Sequence, residues 1–397
     1  MVLQRPSRVY FSVMAVLPSF VLFLLLVIPA FAKEPITFEE ISEQAARAVA
    51  QDRSNDAIRL FRAGLKLHPG WAEGWWSLGT LFYDQDRFSD AAAAFRRFLP
   101  LTPKRGPAYA FLALCEYETR DLDQSLRHFR AWASSGWPGT RETIDVAVFH
   151  FALLLTREGK FVEALYLLTP EVVKMGNTPA LTEAMGLASL RMRNLPEDCP
   201  PERREMVWLA GQAAAYAEHF PPDYARADEY ADRLLVHYDT QPEVHFFRGT
   251  LFNFEKKNSA EAEREFRKEL GISPDHVPAM LELAAIDLGD DNLEEASTLA
   301  KRAIQVDPQN AEAHHIMGRV WLAKDQPEPA AAELETAKRL APTSSNVRSH
   351  LAIAYGKLGR VQEAKAEAAL AISLKKKEDV PTTPQEKLKL ATEPEQR

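Results

Sequence analysis

Apolar and small residues recur along this chain in two alternating helical registers, and prolines mark the interval. Pro69 and Pro103, Pro274 and Pro308, and Pro308 and Pro342 are each 34 residues apart. Within an interval, positions 4, 7, 8 and 11 are spaced as i, i+3, i+4 and i+7, and positions 20, 24 and 27 as i, i+4 and i+7. Each set paints one stripe along a helix, so every interval predicts two amphipathic helices. The segment from Ala72 supplies Trp75, Leu78, Gly79 and Phe82, then Ala91 and Phe95, and closes at Pro103; Phe98 alone departs from the expected small residue. Small residues at positions 8 and 20 let the two backbones approach, and the proline ends the second helix. One helix pair cannot bury both stripes. Pairs must therefore stack, and the small rotation at each step predicts a superhelix with a concave and a convex face.

The pattern recurs in phase. Met317, Gly318, Trp321, Ala330, Ala337 and Pro342 fill it from Ala311; Leu283, Ala284, Ala296, Ala303 and Pro308 from Val277; and Leu351, Ala352, Tyr355, Ala364 and Ala371 from Ser345. Weaker copies begin near Phe38, Gly106 and Asp145. Another, from Pro242 with Gly249, Phe252, Ala262, Phe266 and Pro274, carries one extra residue. The period and its positions resemble the tetratricopeptide repeat family. That resemblance implies an all-α superhelical solenoid whose work is to hold protein or peptide partners.

Phasing fails between Thr178 and Gln241. Leu181, Ala184, Met185 and Gly186 open a helix as usual, but Leu195-Pro196-Glu197-Asp198-Cys199-Pro200-Pro201 stands where a partner helix is expected. Two longer helices, Glu205 to Phe220 and Asp223 to Tyr238, should follow. The expected organisation is a first array over residues 33–192, an irregular loop over 193–203 and a second array over 204–374. One continuous superhelix with a degenerate repeat is the alternative. Residues 375–397, opening on Lys375-Lys376-Lys377 and carrying Pro381, Pro384 and Pro394, read as a disordered polar tail.

Ahead of the repeats, Arg5 and Arg8 precede an apolar run from Val9 to Phe31, and Pro29 comes before Ala30-Phe31-Ala32. This is the layout of a secretory signal peptide over residues 1–32. The same run is long enough to stay in a bilayer as an anchor. The expected location is periplasmic or secreted, or membrane-anchored if the segment is retained. Two cysteines, Cys115 and Cys199, exclude a disulfide scaffold and a four-thiolate metal site. Removing Arg5 and Arg8 with the leader takes 48 basic residues to 46, against 56 acidic ones. That balance argues against nucleic acid, which requires a basic face.

No H-E-x-x-H, phosphate loop, Gly-x-Ser-x-Gly elbow or paired cysteine motif occurs, so the sequence points to no catalysis, cofactor or metal. His314-His315 is the only adjacent histidine pair, and its members point about 100° apart on a helix. In the family, partners lie on the concave face, built from positions 2, 5, 9 and 12 of each first helix. Carried over, those positions include Trp76, Thr80, Tyr83, Tyr117, Phe246, His315 and Arg319. Their large rings stand at positions the repeat pattern does not require for packing, as binding anchors do. The Lys and Asn of a carboxylate clamp at positions 5 and 9 are replaced by Trp76 and Thr80, by Phe246 and Thr250, and by His315 and Arg319. The sequence thus predicts a non-catalytic exported scaffold for a protein or peptide. A membrane-anchored envelope assembly factor, or an accessory subunit of an exported enzyme, are the alternatives.

Overall fold

The computed structural model describes residues 37–103, 106–218, 221–255 and 258–378. The expected signal peptide and most of the expected tail lie outside the described residues. Every described element is a helix, and none is both long and apolar enough to cross a membrane. The helices are α1 (Phe38–Ala50), α2 (Ser54–Leu67), α3 (Ala72–Asp84), α4 (Phe88–Phe98), α5 (Gly106–Glu118), α6 (Leu122–Ser134), α7 (Arg141–Glu158), α8 (Phe161–Met175), α9 (Pro179–Ser189) and α10 (Arg204–Ala217). They continue as α11 (Tyr224–Tyr238), α12 (Val244–Thr250), α13 (Ser259–Ile272), α14 (Val277–Gly289), α15 (Leu293–Val306), α16 (Ala311–Ala323), α17 (Pro327–Leu340), α18 (Ser345–Lys357) and α19 (Val361–Glu378). They fall into two compact units, dividing at Leu155 and Thr156.

Three local devices turn the repeat pattern into helix pairs. Asp52, Asp86, Arg120, Gly159, Asp291, Asp325 and Gly359 each occupy the tight turn between first and second helix in the left-handed region, with φ between 53° and 88°. Aspartate and glycine, six of these seven residues, tolerate that conformation, and Arg120 adopts it at the same place in its turn. The Asp290-Asp291 pair is therefore a turn and not an acidic site. Two residues after Pro274, Pro308 and Pro342, the side chains of His276, Asn310 and Ser344 accept the backbone N–H of Ala279, Ala313 and Val347, starting α14, α16 and α18. At the crossings, a Cβ on Gly79 would stand 2.7 Å from the Phe95 ring, and one on Gly318 2.5 Å from Leu334. The small residue at position 8 is a packing requirement.

The extra residue of the Pro242 repeat is absorbed by a π-helical turn, Leu251–Glu255, directly after α12. In the irregular region, two short 3-10 turns link α9 to α10, pinned by buried Leu195 and Cys199. These two helices cross with their backbones in contact at Gly186 and Gly211. So α10 takes the place of the missing partner of α9. At the other end, α19 runs through Lys375-Lys376-Lys377, where the tail was expected to begin; lysines propagate a helix and suit its C-terminal dipole. Both cysteines are buried and free, and burial pushes the Cys115 thiol up to about 12.

Position 11 is usually aromatic, but two repeats bury a carboxylate there. Glu116 is paired with Arg96 at 2.7 Å and lies 2.6 Å from His128 Nδ1. Asp287, 3% exposed, accepts a 3.4 Å bond from Asn292 on one oxygen and has no partner for the other. Burial raises its pKa above the usual 3.8. Between the unfolded and the raised folded value, the folded chain binds more protons than the unfolded chain, so rising pH lowers stability through that window. Asp287→Asn is therefore expected to raise the melting temperature at pH 7 and to show little gain below about pH 4. Melting curves at several pH values for both chains test this; an equal shift at every pH would contradict it.

Candidate interaction surface

The expected groove residues do not form one open strip. In the first unit, Phe111 of α5 rises between the two large rings of α3. Trp76 meets Phe95, Phe98 and Phe111 at 5.6, 5.3 and 5.6 Å between ring centres, and Tyr83 meets Phe88 and Phe111 at 5.7 and 5.2 Å. Both rings are half-buried against the core of their unit. The expectation that they are free of packing is therefore corrected: they seam one repeat to the next, because position 6 of the following repeat is itself aromatic. Thr80 turns its hydroxyl back onto the Ser77 carbonyl at 3.0 Å. Tyr117 is only 8% exposed and lies edge-on to His150 at 4.7 Å. Its neighbours Ala110 and Leu114 are buried too, so α5 leaves little of this face open.

In the second unit, Phe246 is a core residue, 8% exposed, between Phe266 and His276 and under the Arg191 guanidinium. Burying Phe246 and His315 removes two more expected contact residues from direct reach. His315 is 5% exposed, yet it organises the surface above it. Its Nδ1 lies 3.3 Å from both Glu312 oxygens, and its Nε2 lies 3.0 Å from Nδ1 of His350. That His350 nitrogen is also 2.9 Å from the Asn346 carbonyl. A proton on His350 Nδ1 shared between Asn346 and His315 leaves His315 Nδ1–H to donate to Glu312, so one hydrogen-bonded network ties α16 to α18. The His315 bond holds the Glu312 carboxyl below the usual carboxylate range, whereas burial pushes His350 down.

Two further groups belong to this face. The π turn sets Asn253 to donate to Glu282 on α14 at 3.2 Å, and burial raises the Glu282 pKa. Arg319 on α16 forms no hydrogen bond or ion pair among the described residues, though its charge acts on Glu312 and His350. At the equivalent position of the next repeat, α18 leaves Ile353 half exposed. Positions 2, 5, 9 and 12 include Arg319 and His315, whereas Glu282 and His350, which stand beside them in this region, sit at position 6, outside that rule. No group of three or more His, Cys, Asp or Glu residues among the described residues could hold a metal ion.

Sequence-family comparisons agree with this geometry. A model described as the cilia and flagella-associated protein 70 middle TPR-like domain matches residues 206–375, and a tetratricopeptide repeat model matches residues 43–107. This is a tetratricopeptide repeat protein. The first match spans α11 to α18 and so includes the irregular π-turn repeat; the second spans α2 to α4. No curated protein sequence matches the tetratricopeptide chain. Among solved structures, the crystal structure of MamA is 18% identical, covers 40% of this chain and 92% of its own, and has a TM-score of 0.36. MamA 41-end from Desulfovibrio magneticus RS-1 is 17% identical, covers 44% and 97%, and scores 0.38. These likenesses are too slight to bear on function.

Proposed function

We propose that this tetratricopeptide repeat protein is an exported, non-catalytic scaffold that binds a protein or peptide on the first-helix face of its second unit. The observation that carries this reading is that Arg319, which forms no ion pair among the described residues, and the half-exposed Ile353 stand at the same position, the ninth, of the first helices α16 and α18 in successive repeats. Arginine is among the residues enriched where binding energy concentrates at protein interfaces. His315, Glu312 and His350 fix the helix surfaces that present them, so the contact is pre-organised. Export rests on the leader at residues 1–32. The length of its apolar run favours, as a second reading, a chain that stays anchored with its repeats outside the cytoplasm.

A photo-crosslinking residue at Ile353, in the full chain and in its native cells, tests the surface. One discrete protein adduct is expected, and Arg319→Glu should reduce its yield by about tenfold or more while leaving the melt unchanged. Equal adduct yield from a folded Arg319→Glu chain would move the binding surface elsewhere.

A further inference from the structure

Helix α8 leaves apolar side chains in water along one face. Val162, Tyr166 and Val173 are 74%, 50% and 46% exposed, and helix geometry sets them within about 40° of one another. Thr169 and Pro170, both partly buried, complete that face. The other side of the helix is already spent on the core, where Phe161, Ala164, Leu168 and Val172 are buried. No other described helix lines up three exposed large apolar residues on one face. Apolar residues scattered singly over a surface need no explanation, whereas an aligned stripe marks a place where another molecule docks.

The charges at the rim of the stripe identify its occupant. Glu163 and Lys174 are both exposed and lie on the same flank, about 20° apart around the helix. They are 11 residues apart along it, as are Val162 and Val173. A two-fold axis perpendicular to α8 near its midpoint at Leu168 reverses the helix direction but keeps each flank on its own side. It sets Val162 opposite Val173 of a second copy, Tyr166 opposite Thr169 and Pro170, and Glu163 opposite Lys174, so every contact forms twice. Lys174 stands 4.0 Å from the buried Glu171 carboxylate, and with three N–H donors it can reach a second acid without giving up the first. In a parallel pair neither rim charge would meet its opposite. We propose that α8 docks against α8 of a second copy of this chain, antiparallel about that axis. Three helical turns bury less than the roughly 1,200 Å² at which stable interfaces begin, so the dimer is a weak one, in the micromolar range. Its surface is separate from the Arg319 face, so this dimer and the proposed function are tested independently.

Two differently tagged full chains, one with Val162→Cys and the other with Val173→Cys, co-expressed in native cells and treated with a short thiol-specific cross-linker, test the pairing. Both natural cysteines are buried, so the introduced thiols react. A mixed dimer joining the two variants is expected. Either variant alone should give almost none, because like positions then stand about 16 Å apart. Tyr166→Asp in both copies should cut the mixed yield at least about tenfold while leaving the melt unchanged. Glu163→Lys in the Val162→Cys copy should lower it several-fold, and Lys174→Glu in the Val173→Cys copy should restore it. Absence of a dimer of this chain, equal yields from mixed and like pairs, or an undiminished yield from folded Tyr166→Asp chains would overturn the proposal.

Discussion

Gly211→Ala is expected to destabilise the second unit by about 3 kcal/mol or more, beyond the usual 1 to 3 kcal/mol of an overpacked core. A methyl there would stand 1.8 Å from the Thr182 carbonyl oxygen, and one on Gly186 1.9 Å from that of Val207. These are backbone atoms, so no rotamer change relieves the clash; α9 and α10 must separate. Separation would expose Leu181, Met185, Val207 and Leu209, all essentially inaccessible in the folded chain. Gly356→Ala is the control, since nothing lies within 4 Å of its added methyl. That exchange sits inside α18 and should stabilise by up to about 1 kcal/mol. Denaturant titration of both variants measures the contrast. Hydrogen exchange should show lost protection concentrated in helices near α9 and α10, because coupling in a repeat array runs between neighbours. Uniform loosening of both units would contradict an array held by nearest-neighbour contacts.

The second large effect is expected from Trp76→Ala combined with Tyr83→Ala. Each ring touches Phe111, so the pair closes the seam between α3 and α5. Truncating a fully buried Trp costs about 3 to 5 kcal/mol, and half-burial lowers that, so the double variant should lose about 3 kcal/mol. The two losses should not add, since both act through one shared ring. Denaturant titration of the single and double variants yields the coupling term. Unchanged stability in the double variant would restore these rings as free binding residues.

The Trp76 case shows where reading from sequence stops. Position 5 of one repeat and position 6 of the next are far apart in the chain, and only stacking brings Phe111 between Trp76 and Tyr83. Phe246 and Tyr117 fail as open anchors for the same reason: exposure depends on the neighbour, which one repeat does not reveal. Arg319 is left without a hydrogen bond or ion pair among the described residues, so its place on the binding face stays part of the proposal. Glu282 and His350 were illegible because the positional rule was taken from regular repeats, while here the π turn and the His315 network set their surroundings.

What the sequence by itself determined is local and periodic. Two apolar stripes per 34 residues dictate two helices; proline, its following cap and the left-handed turn residue set where they begin and end; Gly79 and Gly318 mark close crossings. Each follows from backbone sterics and helix geometry within one repeat. Tertiary structure alone decided the rest. It made α10 the partner of α9 through glycine pairs on different helices, turned an extra residue into a π turn, and left Asp287 buried with a bare oxygen. It also divided the aromatic residues between seams and surface. Those outcomes depend on which atoms of distant segments compete for the same volume, and close packing settles that competition only once the helices have met.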